Sequence, residues 1–319
     1  MATSTEYNLQ GPHYSPDGKS LLYKSKEDTV TRLMKISLDD LVEEMLYETN
    51  GYLCCYQFSR DGQQITFNGN DGDLEVFRIN SDGTNLQKIT DNELHDGGAS
   101  WTYDNEKLVL TSVHNGDFNL AGIYWMNPNG TEKRRLHSLD FRAFDPSVSH
   151  DGKEVLAQHV EDGNLNIFRI SIGDGSYQKM TSSDSADWYP EWSPDDRTIA
   201  FRNNESGDWD IFLMNRDGSN LRKVTSSPQE DRVPVWSPDG SLIAYQSRMP
   251  DQDGFDIWLM DSEGKQQRNL TQDEFDNQNP NWSPDGKSLV YSSKIGKVWQ
   301  LMSIDADGSG KRLILPNKN

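Results

Sequence analysis

The chain has 319 residues, of which 51 are Asp or Glu and 31 are Lys or Arg, so its formal net charge is −20. Such an acidic surface repels phosphate, which argues against nucleic acid or an anionic membrane as partner and favours cations or a basic protein. The 34% hydrophobic content and 25 glycines are typical of an all-β protein rich in turns. No apolar stretch reaches the length of a membrane span, so membrane insertion is not expected.

One short phrase recurs along the chain, an aromatic or apolar residue followed by Ser-Pro-Asp-Gly, and its clearest copy is Trp-Ser-Pro-Asp-Gly at 282–286. Proline presets φ, aspartate hydrogen-bonds its own backbone and glycine permits positive φ, so each copy predicts a tight turn between two antiparallel strands. The turn serine or threonine recurs at intervals of 43 to 47 residues, at Ser15, Ser59, Thr102, Ser149, Ser193, Ser237 and Ser283.

The apolar runs that follow each turn predict three further short strands. In the first repeat they are 21–23, 33–36 and 45–47, and later repeats keep this order. Repeat two has Arg60 in place of the turn proline, and repeat three has Asn105 in place of the glycine. Four strands in about 45 residues are typical of a propeller blade. We therefore predict an all-β fold, a seven-bladed β-propeller of four-stranded antiparallel blades, in a single domain spanning 1–319 with repeats from about residue 9 to about residue 315.

Aromatic residues that recur at one place in every repeat are expected to pack between blades. Trp192, Trp236 and Trp282 directly precede the turn serine, and Trp258 lies in a predicted third strand. A fixed position in each repeat indicates inter-blade core rather than a platform for sugars or bases.

The repeated phrase, the third-strand run at 211–214 and the closing Leu-Arg-Lys-Val-Thr at 221–225 resemble the TolB-type β-propeller repeat. That repeat is also found in oligogalacturonate lyases and in propeller domains of prolyl oligopeptidases. The resemblance covers nearly the whole chain and implies a bacterial propeller that engages partner proteins, some of which insert an extended segment into the channel mouth. TolB itself has six blades behind an N-terminal α/β domain, whereas in this chain we expect seven blades and no such domain, so the match is to the module alone. The Gly-x-Ser-x-Gly elbow of α/β-hydrolases is also missing, which argues against a peptidase.

Acidic residues are expected to gather at the end of the blades opposite the hairpin turns. Counting back six positions from the turn residue gives Asp96, Asp187 and Asp231, and Asp276 lies one position further back in the last repeat. Calcium binds about six to eight oxygen ligands, so a ring of short carboxylates suits it. Our hypothesis is that these four aspartates hold calcium or a basic segment of a protein partner at the channel mouth. The alternative is that each aspartate caps its own turn.

Three histidines, His95, His114 and His159, are predicted at the same end of adjacent repeats. Three imidazoles suit a transition metal, and the resemblance to oligogalacturonate lyases implies a metal held by His and Gln in the propeller. Those ligands have no one-to-one match in this chain. Histidines scattered over polar loops are the alternative interpretation.

Motifs for nucleophilic catalysis and for phosphate binding are missing from the sequence, which favours a non-catalytic binding or scaffold module. The alternative is a carbohydrate-active lyase of the oligogalacturonate type. The two cysteines, Cys54 and Cys55, are adjacent, so they are expected to be reduced thiols, although a vicinal disulfide is chemically possible. The first residues do not read as a secretory signal, which predicts a cytoplasmic location, or a periplasmic one if a leader has been removed.

Overall fold

The computed structural model describes residues 8–71, 73–92, 94–113, 121–137, 142–161, 163–182, 184–226 and 228–315. Over these ranges the regular secondary structure consists of 28 strands, which form seven four-stranded antiparallel sheets. Each sheet takes its four strands from consecutive segments of the chain, because each is a simple meander. The predicted seven-bladed β-propeller of four-stranded blades is confirmed. Within the described ranges there is no helix that could cross a membrane.

The first three blades begin near the start of the chain. Blade 1 consists of β1 (Asn8–Tyr14), β2 (Ser20–Glu27), β3 (Val30–Ser37) and β4 (Glu43–Thr49). Blade 2 consists of β5 (Leu53–Phe58), β6 (Gln64–Asp71), β7 (Asp73–Asn80) and β8 (Gln87–Lys88). Blade 3 consists of β9 (His95–Trp101), β10 (Leu108–Val113), β11 (Gly122–Met126) and β12 (Arg134–Arg135).

The other four blades repeat this plan. Blade 4 consists of β13 (Ala143–Val148), β14 (Glu154–Glu161), β15 (Asn164–Ser171) and β16 (Tyr177–Lys179). Blade 5 consists of β17 (Asp187–Trp192), β18 (Thr198–Asn203), β19 (Asp210–Asn215) and β20 (Arg222–Lys223). Blade 6 consists of β21 (Glu230–Trp236), β22 (Leu242–Arg248), β23 (Asp256–Asp261) and β24 (Arg268–Asn269). Blade 7 consists of β25 (Asp276–Trp282), β26 (Ser288–Ile295), β27 (Val298–Asp305) and β28 (Arg312–Leu313).

Contacts within the chain divide it into two compact units, Met1–Leu53 with Pro228–Asn319, and Cys54–Ser227. The first, called here the three-blade unit, holds blades 1, 6 and 7. The second, called the four-blade unit, holds blades 2 to 5. The single domain predicted from the repeats stays a prediction.

The hydroxyl of the turn serine closes the first hairpin of each blade. In blade 1, Ser15 Oγ donates to Asp17 Oδ1 at 2.6 Å and accepts the N–H of Ser20 at 2.9 Å. Gly18 follows with a φ of +72°, a conformation that glycine adopts without steric cost. The hydroxyl-to-carboxylate bond recurs at 2.6 to 2.7 Å in the other six blades. The recurring turn motif of the sequence therefore has a structural role, which is to close the first hairpin of the blade.

Two departures from this phrase are linked to the next blade. Arg60 replaces proline in blade 2, and its N–H donates to Asn105 Oδ1 of blade 3 at 2.7 Å. His150 replaces proline in blade 4, and its N–H donates to Asp196 Oδ1 of blade 5 at 2.7 Å. Asn105 and Asp196 themselves replace the turn glycine, with φ of +60° and +57°. Proline has no backbone N–H and glycine has no side-chain acceptor, so each of these bonds requires both replacements.

We predict that Asp196→Gly lowers the free energy of unfolding by about 1 to 3 kcal/mol, because the N–H groups of His150 and Asp151 lose their acceptor. The double variant His150→Pro/Asp196→Gly restores the common proline and glycine and is expected to lose less than the two single changes added together. Urea unfolding of all four proteins measures this coupling. Exposed Asp208→Gly is the control, and strictly additive losses would contradict the linkage.

The tryptophans that precede the turn serines pack between blades, as predicted. Trp192 is 2% exposed, packs on Ile167 and Met180 of blade 4, and donates its Nε1–H to the Ser147 carbonyl at 3.2 Å. Trp282 makes the same bond across blades 6 and 7, to a carbonyl of β21 at 3.1 Å. Each indole therefore supplies buried apolar area and one directional bond to the preceding blade.

Blade 1 packs directly against blade 7 inside the three-blade unit. Buried apolar side chains of both blades form one cluster, and the Gly11 N–H donates to Ser292 Oγ at 2.9 Å. The Tyr14 N–H donates to Asn281 Oδ1 at 3.0 Å. Blade 7 takes its outer strand β28 from its own repeat. The first and last blades are thus joined by packing and cross-blade bonds among the described residues, without an exchanged strand.

Candidate functional site

The four aspartates proposed as calcium ligands lie at the start of first strands. Asp96 is the second residue of β9 and Asp187 the first of β17, both in the four-blade unit. Asp231 is the second residue of β21 and Asp276 the first of β25, both in the three-blade unit. Asp96, Asp187 and Asp231 are at most 1% exposed, and Asp276 is half-buried. Three of the four carboxylates are therefore interior groups.

Asp96 is paired with a lysine. Lys133 Nζ lies 2.7 Å from both carboxylate oxygens and 3.0 Å from Ser112 Oγ, and Asn92 Nδ2 donates to Asp96 Oδ2 at 2.8 Å. An ion pair in the protein interior that also makes further hydrogen bonds is costly to break, because either charge left alone there is poorly solvated. Calcium at Asp96 would first have to displace the Lys133 ammonium.

Two other members of the set also accept hydrogen bonds from protein groups. Asn203 Nδ2 donates to Asp187 Oδ1 at 2.6 Å. Asp276 Oδ1 accepts the N–H of Phe255 from blade 6 at 2.9 Å, and Gln278 Nε2 donates to both of its oxygens. These contacts give the two carboxylates a role in joining strands and blades, which differs from the capping of a single turn.

In two repeats an acidic residue near the start of the third strand binds the closing threonine, Glu75 with Thr90 and Asp256 with Thr271. Thr271 Oγ1 donates to Asp256 Oδ1 at 2.7 Å and accepts the N–H of Ile257 at 3.1 Å. The same N–H to hydroxyl bond, at 2.9 Å, is made by Thr90, Thr181 and Thr225. In these four repeats the closing threonine therefore anchors the outer edge of the blade to its third strand.

The histidine hypothesis involves residues with structural contacts. His95 Nδ1 accepts the N–H of Leu74 at 3.3 Å, and His159 Nδ1 hydrogen-bonds to the Arg142 carbonyl at 2.6 Å. His114 lies outside the described residues. Among the residues that the structure describes, no group of three or more His, Cys, Asp or Glu side chains could hold a metal ion. Both metal hypotheses stay predictions.

Every first strand carries one residue in the left-handed region, four positions before the turn serine or threonine. The φ angles lie between +51° and +63°. In six blades the pairing with the second strand also shifts register around this residue. Such bulges re-aim side chains, and they are strained when the residue is large or β-branched. This bulge column consists of Gly11, Cys55, Gly98, Asp145, Tyr189, Val233 and Asn279.

Three bulge side chains of the four-blade unit, Cys55, Asp145 and Tyr189, share one surface. All three are exposed, Tyr189 by 45%. Burial nevertheless raises the pKa of the Asp145 carboxyl. Burial, followed by the negative charge of Asp145, raises the pKa of the Tyr189 hydroxyl. We call the surface formed by these three exposed side chains the recess.

An aromatic cluster adjoins the recess and consists of Phe144, Trp188, Tyr189, Arg202 and Trp209. The Arg202 guanidinium lies 4.4 Å from the ring centre of Trp209, 4.9 Å from Tyr189 and 5.7 Å from Trp188. The two indoles meet edge to face at 6.4 Å, and Phe144 lies 6.5 Å from Trp188. Apart from Tyr189, the members are half-buried. Sequence reasoning missed this cluster, although Trp188 stands at a position where the other repeats lack tryptophan.

Glu191 lies two residues beyond Tyr189 on β17. Burial raises the pKa of its carboxyl to about 7, against the lowering effect of the Arg60 charge, while the side chain stays in contact with solvent. Arg60 stacks 4.2 Å from the ring centre of Tyr103, which in turn lies 4.4 Å from the ring of His150. At neutral pH both protonation states of Glu191 are populated, so it can accept or donate a proton.

We predict that Glu191→Gln flattens the pH dependence of stability. The folded-state pKa near 7 exceeds the usual value of 4.5, so folding favours the protonated carboxyl. That contribution is complete below the usual value and is lost as the pH rises through 7. The melting temperature of the variant should therefore fall less than that of the wild type between about pH 5 and about pH 8. Glu106→Gln, at an exposed glutamate, is the control, and parallel wild-type and Glu191→Gln curves would contradict the assignment.

Comparison with known proteins gives the same fold. The sequence profile of the TolB beta propeller domain family matches residues 1–163 and 138–319, which together span the chain. An uncharacterized protein from Agrobacterium fabrum is 31% identical over 100 residues, which make up 31% of this chain and 34% of the relative. The matched stretches span about a third or less of the curated relatives.

Solved structures with the same fold include two with different functions. TolB from Agrobacterium tumefaciens superposes with a TM-score of 0.60 at 21% identity, covering 79% of this chain and 93% of that one. An oligogalacturonate lyase in complex with manganese superposes with a TM-score of 0.70 at 16% identity, covering 98% of this chain and 85% of that one. At these identities the likeness establishes the fold, because function depends on the individual site.

Proposed function

We propose that this chain, which belongs to the TolB β-propeller domain family, is a non-catalytic binding module that holds an extended segment of a protein partner. The recess and the aromatic cluster of the four-blade unit form the binding surface. The observation that carries the proposal is the stack of Arg202 among three aromatic rings that stay partly exposed.

The composition of the aromatic cluster supports a protein partner. Tryptophan, tyrosine and arginine dominate binding hot spots, because they combine large apolar area with a polar end. Trp188, Tyr189 and Trp209 are held in place by one another and by Arg202. These side chains therefore lose little conformational entropy when a partner binds. An apolar or aromatic side chain of the partner fits against such rings.

Charge supports a basic residue in the same partner. Asp145 and Glu191 lie at or near the recess, and the chain carries a net charge of −20. A lysine or arginine of the partner would find a carboxylate at hydrogen-bonding range and would be attracted from a distance by the acidic surface. The expected ligand is an extended segment with one apolar anchor and one basic residue.

We predict that peptides selected from a random display library on the immobilised chain require the aromatic cluster. Tyr189→Ala and Trp209→Ala are each expected to weaken such a peptide about 30-fold or more, because hot-spot truncations cost about 2 kcal/mol or more. Calorimetric titration of the purified variants measures this. Tyr177→Ala is the matched control, since Tyr177 is 46% exposed and Tyr189 45%. Equal losses in the control and the cluster variants would count against the proposal.

Calcium is the proposed second ligand, held by carboxylates from the set Asp96, Asp187, Asp231 and Asp276. If it binds, it adds stability by mass action, about 2.7 kcal/mol at 100 times its dissociation constant. We predict that calcium, rather than magnesium, manganese or zinc, raises the melting temperature of the chelator-treated protein, and that Asp276→Asn reduces the rise. An unchanged melting temperature with every metal would end this proposal. A response to manganese or zinc alone would favour the histidines instead.

The alternative function is a lyase acting on oligogalacturonate. Its support is the shared fold and length with the manganese-bound lyase, together with a carboxyl group, Glu191, whose pKa of about 7 suits proton abstraction. Incubation with oligogalacturonate and manganese distinguishes the two functions, since elimination creates an unsaturated product that absorbs ultraviolet light.

The cytoplasmic location expected from the first residues stays a prediction.

A further inference from the structure

The two cysteines are adjacent in the chain and yet have their thiols side by side. Successive side chains of a regular strand point to opposite faces, which would separate the sulfurs of Cys54 and Cys55. Cys55 belongs to the bulge column, with φ of +56°, and its thiol hydrogen-bonds to that of Cys54. The bulge therefore creates a paired dithiol inside β5.

This dithiol is accessible from the recess. Cys55 is exposed, Cys54 is half-buried, and neither takes part in a disulfide. A backbone hydrogen bond from Gly98 of blade 3 and the nearby charge of Asp145 of blade 4 place the Cys55 sulfur where neighbouring bulges meet. The chain contains two cysteines in all, so a ligand that needs two thiols can bind only at this pair.

We propose that Cys54 and Cys55 form a binding site for trivalent arsenicals. An arsenic–oxygen group reacts with both thiols to form two arsenic–sulfur bonds, and the two thiol protons leave with the oxygen as one water molecule. Arsenic stays trivalent throughout, so the step needs no oxidant. Sulfur ligands suit soft metals and metalloids, and two sulfurs held in advance close the chelate ring at a small entropy cost.

The environment of the thiols favours chelation over ordinary alkylation. The hydrogen bond with Cys54, then burial, raises the pKa of the Cys55 thiol well above its usual value. The thiolate that attacks alkylating reagents is therefore scarce at neutral pH. An arsenical forms bonds with both sulfurs, and the second arsenic–sulfur bond compensates for the low nucleophilicity of the protonated thiols.

The experiment uses phenylarsine oxide on the reduced full-length chain, followed by intact mass measurement in excess monothiol. One adduct per chain is expected, and its loss should be on the order of 100-fold slower than from Cys54→Ser or Cys55→Ser, which have one sulfur each. An excess of a small dithiol should remove it. Asp145→Asn is the matched control, because it changes the recess without removing a sulfur, and it should keep the adduct.

Two results would overturn the proposal. One is an adduct equally durable in either single-cysteine variant, which would mean that the second thiol adds nothing. The other is an adduct on urea-unfolded wild-type chain but none on the folded protein, which would mean that the fold hides the pair. Circular dichroism of each variant shows that it is folded, and the comparison of folded and unfolded wild type needs no variant. Neither result decides the peptide-binding proposal, because that proposal is tested at Tyr189 and Trp209, which carry no sulfur.

Discussion

A left-handed residue in the first strand of each blade is the constraint on which the candidate site depends. It interrupts the strict alternation of side chains in a strand, so that a side chain and its neighbour need not point to opposite faces. Where the residue is Gly11 or Gly98, the conformation has no steric cost. Where it is Tyr189 or Val233, the conformation is strained and persists because cross-blade packing holds the strand in place. Cys55, Asp145 and Tyr189 reach solvent together because of this device.

The turns show how a repeat protein tolerates change. The turn hydroxyl, which serine supplies in six blades and threonine in one, and the aspartate that it binds are retained in all seven blades, since together they satisfy the backbone of a tight turn. The proline and glycine vary, but in two places they vary as partners, with Arg60 bonded to Asn105 and His150 bonded to Asp196. Repeated positions therefore carry the architecture, and positions that differ between blades are free to carry function.

The four aspartates proposed as calcium ligands show what a sequence pattern leaves undecided. Spacing from the turn residue singled out Asp96, which is the second residue of β9, but the spacing does not reveal its environment. Lys133, which is 37 residues away, reaches both oxygens of Asp96 and gives it the properties of a buried ion pair. The aromatic cluster is the reverse case. Trp188 breaks the repeat pattern, and its meeting with Trp209 around Arg202 depends on how one blade folds back on itself.

The sequence alone determined the fold class, the number of blades and the inter-blade role of residues such as Trp192, because turn chemistry and apolar periodicity are local and repeat seven times. Tertiary structure alone decided which polar groups face solvent. A carboxylate near the start of a first strand can be an interior partner, as at Asp96 in blade 3, or an exposed group in a recess, as at Asp145 in blade 4. The difference comes from neighbours on other strands and blades, whose distance along the chain carries no information about their distance in space.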